Sequence, residues 1–349
     1  MAKNDNLHKA KDAKNDEFYT RIEDVAEELR HYKKHFAGKV VLCNCDDPTW
    51  SAFWRYFHLN FAELGLKKLI STHYDRTEPT YKMEYEGGDD NNVEVGVKSP
   101  LEGNGDFRNR ECLDLLDECD IVVTNPPFSL ARAYVQCLRE HSKQFVVIGD
   151  LNWITYKEFF PMLKDNEIWL GYSSVKEFTQ PDGTIKKFGN KLWYTNLDIQ
   201  KRHEKLILWQ RYYDNNGNPL PDAKERYPHY DNYDAINVGK VADIPIDYQG
   251  VMGVPITFLD KYNPEQFEIV GLLNSSSESL AGIKELRIYD EFKEVKQDGS
   301  FTKATGKKTR GNPVINGKAK SGNYYINPNT GECVHSTYAR ILIHKKENE

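Results

Sequence analysis

Apolar positions along the first half of the chain switch between compact runs and helical spacing. Ile22, Val25, Ala26, Leu29 and Tyr32 recur at helical steps and predict a helix over 22–35. Lys39–Cys45 (KVVLCNC) is a short apolar run and predicts a buried strand. Asp47-Pro48 then reads as a helix N-cap and first helical residue. Beyond it, Trp50, Phe53, Trp54, Phe57, Phe61 and Leu64 predict one helix with an aromatic face, ended by Gly65. Leu69–His73, Asp120–Thr124 (DIVVT), Gln144–Gly149 (QFVVIG) and Glu167–Leu170 are further predicted strands. Helices are predicted over 111–118, 130–140 and 156–163, and the polar, Gly-rich segment 76–105 holds strand-like pieces such as Tyr81–Tyr85. Strands alternating with helices over 36–170 predict an α/β fold on a parallel sheet.

After residue 170 the texture changes. Tyr, Asn, Gly and Pro become frequent, with turn signals such as Pro181-Asp182-Gly183 and Asn215-Asn216-Gly217. Predicted strands there are short, as in Lys191–Thr195 and Tyr338–Ile343. A second lobe of mixed, loop-rich character is expected, with the last strands of the first lobe falling between 185 and 210. The expected division is 1–35, 36–200 and 201–349.

The chain has 349 residues, a formal net charge of −6 and a mean hydropathy of −0.71. Its apolar content of 39% is below the roughly 45% of an average globular chain, so a wide polar surface is expected. No apolar run approaches the ~18 residues of a membrane span. The opening MAKNDNLHKAKDAKNDEF has no apolar h-region and does not read as a signal peptide. Six cysteines include no CxxC pair, so reduced thiols in the cytoplasm are expected. His31 and His35 share an i,i+4 spacing, but the Tyr-Lys-Lys between them looks solvated, and no metal site is expected.

The sharpest chemical signal is Asn125-Pro126-Pro127-Phe128, directly after the DIVVT strand. In an open α/β sheet, ligands bind beyond the carboxyl ends of the strands. A rigid turn needs only the two prolines, but the Asn and the aromatic ring have a chemical use. The exocyclic amine of adenine is a poor nucleophile because its lone pair is delocalised into the ring. An Asn side-chain oxygen and a carbonyl held by the Pro-Pro backbone can accept both of its hydrogens, while Phe128 stacks on the base. Positioning and electrostatics then supply the rate, with no strong general base.

The turn after the first strand, Cys43-Asn44-Cys45-Asp46-Asp47-Pro48-Thr49-Trp50-Ser51, contains neither GxGxxG nor GxxxxGK[ST]. Two adjacent carboxylates would repel a pyrophosphate. They suit S-adenosylmethionine, which carries a sulfonium, an ammonium and no phosphate. Asn44, Asp46, Asp47, Pro48 and Ser51 are therefore candidate cofactor contacts, although Asp-Pro before a helix is also an ordinary cap. Asp75 follows the second strand, where an acidic side chain can hold ribose hydroxyls. Asp106-Phe107 precedes the third, where a carboxylate can accept from adenine N6 and a ring can pack on the base. Singly each is an ordinary loop residue; in this order, ahead of Asn125, they support one another.

On these residues the chain resembles the adenine-specific DNA methyltransferases, most closely the EcoRI-type modification methylases. The matching stretches are Asn15-Asp16-Glu17-Phe18-Tyr19-Thr20, Cys43–Pro48, Asn125–Phe128, Asn152–Leu170, Gly189–Leu197 and Gly253–Val270. The resemblance implies a Rossmann-like methyltransferase sheet and S-adenosylmethionine as cofactor. It also implies N6-adenine methylation of double-stranded DNA, often beside a restriction endonuclease. Phe18, Tyr19 and Thr20 would match the motif that closes over the methionine part of the cofactor, which Asn125 also borders. The wider superfamily has glycines after the first strand where this chain has Ser51 and Phe53. The long tail would carry target recognition, and transfer to one base needs no dimer, so a monomer is expected.

A duplex hides the adenine amine, so the target must be flipped out. Phe128 is the first candidate to stack on it, and Trp193 a candidate opposite wall, with a core position the competing reading. DNA needs local positive charge in an acidic chain. Residues 301–320 hold Lys303, Lys307, Lys308, Arg310, Lys318 and Lys320 and no carboxylate, and their Gly, Asn and Pro content predicts a loop that contacts DNA. Two other readings stay open on the residues alone. One is transfer to cytosine N4 or a protein glutamine, which NPP-aromatic also serves. The other is a non-catalytic DNA-binding module, against which the intact NPPF and DDP argue. Label transfer to DNA with nucleoside analysis separates them.

Overall fold

The computed structural model describes residues 19–180, 183–274, 287–309 and 311–346. Phe18 and Arg310 lie outside the described residues. The chain divides into two compact units, Met1–Trp153 with Glu167–Ile199, and Ile154–Asn166 with Gln200–Glu349.

The first unit is mixed α/β. Its strands are β1 (Tyr19–Thr20), β2 (Val40–Cys43), β3 (Lys68–Thr72), β4 (Tyr81–Tyr85), β5 (Val97–Pro100), β6 (Ile121–Thr124), β7 (Gln144–Asp150), β8 (Trp169–Thr179) and β9 (Ile185–Thr195). They form one sheet in the order β1-β8-β9-β7-β6-β2-β3-β4-β5. β3, β2, β6 and β7 are parallel neighbours. VVLC of β2 and IVVT of β6 are buried at every position, as central strands covered on both faces require.

The expected all-parallel sheet is corrected at both edges. β4 and β5 pair antiparallel beyond β3, and β9, β8 and β1 pair antiparallel beyond β7. The predicted strand 167–170 is thus the start of an eleven-residue strand, β8. The connections from β3 to β4 and from β8 to β9 are too short to carry a crossover helix, so the chain turns back on itself there.

The helices are α1 (Ile22–Leu29), α2 (Ala52–Leu59), α3 (Arg110–Glu118) and α4 (Ala131–Glu140). Buried Glu28 of α1 accepts from Tyr172 N–H at 2.8 Å and from Ser173 N–H and Oγ–H at 2.7 Å each, which ties α1 to β8. The predicted 22–35 helix breaks into α1, a tighter turn at Arg30–Tyr32 and a last turn at Lys33–Phe36. The predicted helix after Asp47 is corrected twice. Its N-cap is Ser51, whose Oγ accepts from Phe53 N–H at 3.1 Å and Trp54 N–H at 3.3 Å, so Trp50 precedes it. It also breaks at Asn60, after which Phe61–Leu64 ends at Gly65 with a left-handed φ of 63°, as expected.

The second unit begins with the short helix α5 (Phe160–Lys164), where a helix over 156–163 was expected. It has two small sheets. β10 (Ile236–Asn237), β11 (Met252–Pro255), β12 (Phe267–Leu273) and β18 (Arg340–Lys345) form one. β13 (Lys293–Val295), β14 (Phe301–Thr305), β15 (Val314–Asn316), β16 (Tyr324–Ile326) and β17 (Cys333–Ser336) form the other. Residues 301–320 are therefore not a plain loop. They contain β14, a tight turn at Gly306–Thr309 and β15, because β14 pairs with β13 and β15 with β17.

Candidate active site

Beyond the carboxyl ends of β2, β3 and β6 lies a cavity of about 530 Å³. Tyr19, Asp46, Asp47, Asp75, Asp106, Phe107 and Asn125–Phe128 all line it. Segments more than a hundred residues apart in sequence, those of Tyr19 and Phe128, thus meet where a parallel sheet presents its ligands. Gly105 lines the wall at a φ of 73°, and a Cβ there would meet His73 O at 2.2 Å. No side chain larger than hydrogen fits that close approach.

Asp46 and Asn125 are joined. The Asp46 carboxylate is buried and accepts from Ser51 Oγ–H at 3.3 Å, from Thr124 Oγ–H and from the backbone N–H of Asn125. Thr124 closes β6 and Asn125 follows it, so one carboxylate ties the first turn to the NPPF turn. Burial pushes the Asp46 carboxyl up to about 7, against the pull of those three donors, and the Asp47 charge adds to the rise.

Asp47 is half-buried. Its Oδ1 accepts from Thr49 N–H at 2.8 Å, Thr49 Oγ–H at 2.7 Å and Tyr81 OH at 2.7 Å, and its Oδ2 lies 3.5 Å from His73 Nε2. These contacts, not a helix start, occupy the side chain read as an N-cap. Asp75 folds its own loop, with Oδ1 accepting from Thr77 N–H at 2.8 Å and Glu78 N–H at 3.1 Å. Asp106 is held by a two-pronged contact from Arg108, at 2.8 and 2.6 Å. Phe107 is buried, edge-on to Tyr134.

Four expected cofactor contacts lie beneath the cavity instead of on its wall. Thr20, Asn44, Pro48 and Ser51 are buried and do not line it. Tyr134 OH donates to Asn44 Oδ1, which directs that amide into the core. Tyr19 does reach the wall and lies against Trp50, with ring centroids 3.7 Å apart.

Phe128 is half-buried, with Phe178 edge-on at 6.2 Å. Trp193 is corrected: it is fully buried, edge-on to Phe53 at 6.0 Å, and belongs to the core. Residues that the sequence reading missed include Trp50, His73, Tyr81, Thr124 and Lys191. In sequence Trp50 continues an aromatic helical stripe; with Ser51 as the cap, Trp50 stands outside the helix and 40% exposed.

In the second unit Lys303, Lys307, Lys308, Lys318 and Lys320 are exposed. Lys308 Nζ lies 3.7 Å from Glu294 Oε1, so the stretch that lacks carboxylates in sequence faces one in space. Lys318 Nζ lies 5.3 Å over the Tyr324 ring.

The family model described as "Adenine-specific methyltransferase EcoRI" matches residues 6–346. The chain is 47% identical to Type II methyltransferase M.EcoRI of Escherichia coli over 300 residues, 77% of this chain and 89% of that protein. It is 38% identical to Type II methyltransferase M.MpnI of Mycoplasma pneumoniae over 297 residues, 80% of this chain and 89% of that protein. A third relative, Type II methyltransferase M.MgeORF184P of Mycoplasma genitalium, is 37% identical with the same coverage. No solved structure matches the chain.

Proposed function

Because the chain belongs to the EcoRI-type family of adenine-specific DNA methyltransferases, we propose that the cavity of the first unit is its active site and that Asn125 orients the target amine. The protein is a site-specific DNA methyltransferase that uses S-adenosylmethionine to methylate adenine at N6. Residues 36–200 then hold a Rossmann-like methyltransferase domain, and β1 and α1 of the closing segment 1–35 belong to the same unit. Residues 201–349 carry target recognition. The observation that carries the assignment is the convergence of Asp46, Asp47, Tyr19 and Asn125–Phe128 on one cavity.

The cavity's make-up fits the cofactor. Its volume lies in the range of small-molecule sites, its walls are aromatic and acidic, and no phosphate-binding glycine loop is present. Bound there, S-adenosylmethionine supplies the electrophilic methyl group. Asp47 and Asp75 would hold its cationic and hydroxyl groups, with Tyr19, Trp50 and Phe107 packing on its apolar parts. Asp46 would act from beneath, by fixing the turn that carries Asn125.

The chain's own part in the transfer is positional. Asn125 Oδ1 and the Pro126 carbonyl accept the two N6 hydrogens and localise the amine lone pair. Pro127, with φ −60° and ψ 120°, fixes the backbone between those acceptors and Phe128. Phe128 stacks on the flipped adenine. These interactions matter most in the transition state, so their loss lowers turnover more than binding. Cytosine N4 and glutamine amides would suit the same acceptors, and the match to adenine-specific enzymes favours adenine.

Lys303, Lys307, Lys308, Arg310, Lys318 and Lys320 contact the phosphate backbone in this reading. The enzyme acts as a monomer on cytoplasmic DNA, and any cognate endonuclease shares the site without a stable complex. Calorimetry with S-adenosylmethionine alone tests the cavity assignment. One binding site is expected, weakened in Asp47→Ala. Binding of NADH or ATP in place of S-adenosylmethionine would overturn it.

A further inference from the structure

Lys191 is a buried cation that the reaction described so far does not use. It sits in β9 directly opposite Asp150 of β7, only 5% exposed. Its Nζ lies 2.7 Å from Asp150 Oδ2 and 3.9 Å from the centroid of the Phe128 ring. The Asp150 carboxylate is itself fixed, accepting from Asn152 N–H at 2.8 Å and from Asn190 Nδ2–H at 3.2 Å. Taking a lysine and a carboxylate out of water is unfavourable, and an apolar residue of similar length would fill the space without that penalty. Here the ammonium is carried onto the negative face of one aromatic ring, the ring three residues after Asn125.

The surroundings fix that ring further. Phe178 meets Phe128 edge-on and meets Phe188 edge-on at 5.5 Å, while Lys191 Nζ also lies 5.2 Å from the Phe188 centroid. Phe128 follows two prolines, so its backbone is already restricted.

We propose that Lys191, clamped by Asp150, is a positioning residue that sets the plane of Phe128 and thereby the platform on which the flipped adenine stacks. The proposal rests on the reading that Phe128 stacks on the target base. Lys191 touches neither base nor cofactor and acts only through the ring.

The test uses full-length enzyme with duplexes carrying 2-aminopurine at the target adenine, together with single-turnover methylation of the normal duplex. Lys191→Met keeps the length and removes the charge. It is expected to lower both the flipping signal and the single-turnover rate about thirtyfold, the scale of a desolvated cation–π contact. Cofactor binding by calorimetry should not change. Lys191→Arg should recover most of the rate. In a Phe128→Ala background, Lys191→Met should add less than a twofold loss, since its target is gone. A merely structural lysine would add its full loss there, which would overturn the proposal, as would wild-type rate and flipping in Lys191→Met. If the methionine variant fails to bind cofactor, Lys191→Gln and Asp150→Asn are read in the same cycle against the same limits. Wild-type behaviour of Phe128→Ala would remove the stacking reading and this proposal together. An impaired Phe128→Ala beside an intact Lys191→Met would remove this proposal alone.

Discussion

Replacing Asp46 with asparagine should remove a pH dependence that the wild-type protein carries in its core. Burial holds this carboxyl at about 7 in the folded chain, whereas an unfolded aspartate titrates near 4. Between those values the unfolded chain gives up the proton and the folded chain keeps it. Stability from this group is therefore fully present below about pH 4 and is lost as pH rises through about 7, at about 1.4 kcal/mol per pH unit between them. From pH 5 to pH 8 the loss is about 3 kcal/mol. Asparagine fills the same space with no proton to exchange, so the stability of Asp46→Asn relative to wild type should rise by about 3 kcal/mol over that interval, all other groups cancelling. Urea unfolding followed by tryptophan fluorescence reads the first unit, which holds five of the six tryptophans. A gap between the two proteins that does not change with pH would refute the argument. A gap that moved in favour of wild type at high pH would show a carboxylate stabilised in its charged form.

Ser51→Ala removes the N-cap of α2 and one donor to Asp46, and should lower stability by about 1–2 kcal/mol, measured by urea titration. Gly105→Ala should lower stability by about 1–3 kcal/mol and weaken cofactor binding by calorimetry, since its Cβ collides with the carbonyl of His73 at a left-handed φ. Neutralising Lys303, Lys307 and Lys308 together should weaken binding to cognate and scrambled duplexes alike and flatten the slope of log K against log salt by roughly two to three units. An unchanged slope would mean these cations only face solvent.

The central strands were legible because β2 and β6 are short runs, apolar but for the final Thr124, and such runs have few other uses. The NPPF turn was legible for the same reason: it follows one of those strands directly. What failed depended on distant partners. Asp47 and Ser51 are both good caps on local grounds, and the choice between them was made by Tyr81, which draws the Asp47 carboxylate away from across the sheet. Trp193 sits in a strand whose sequence does not say which face is covered, and its burial follows from the packing of Phe53. Lys191 looks like a solvated strand residue until β7 places Asp150 beside it, 41 residues earlier. The basic stretch 301–320 is rich in turn-forming residues, yet β13 and β17 recruit parts of it into a sheet. The antiparallel edges of the large sheet were hidden likewise, since pairing direction is set by connections and not by local apolar pattern.

Adenine N6 transfer in the first unit depends on Asn125, which orients the target amine. Wild-type protein and Asn125→Ala are each incubated with tritium-labelled S-adenosylmethionine and duplex DNA, and the product is digested to nucleosides. Label is expected in N6-methyladenine for wild type and none for Asn125→Ala, while the variant still binds cofactor and duplex. Label at the wild-type level in Asn125→Ala, or label confined to N4-methylcytosine, would contradict it.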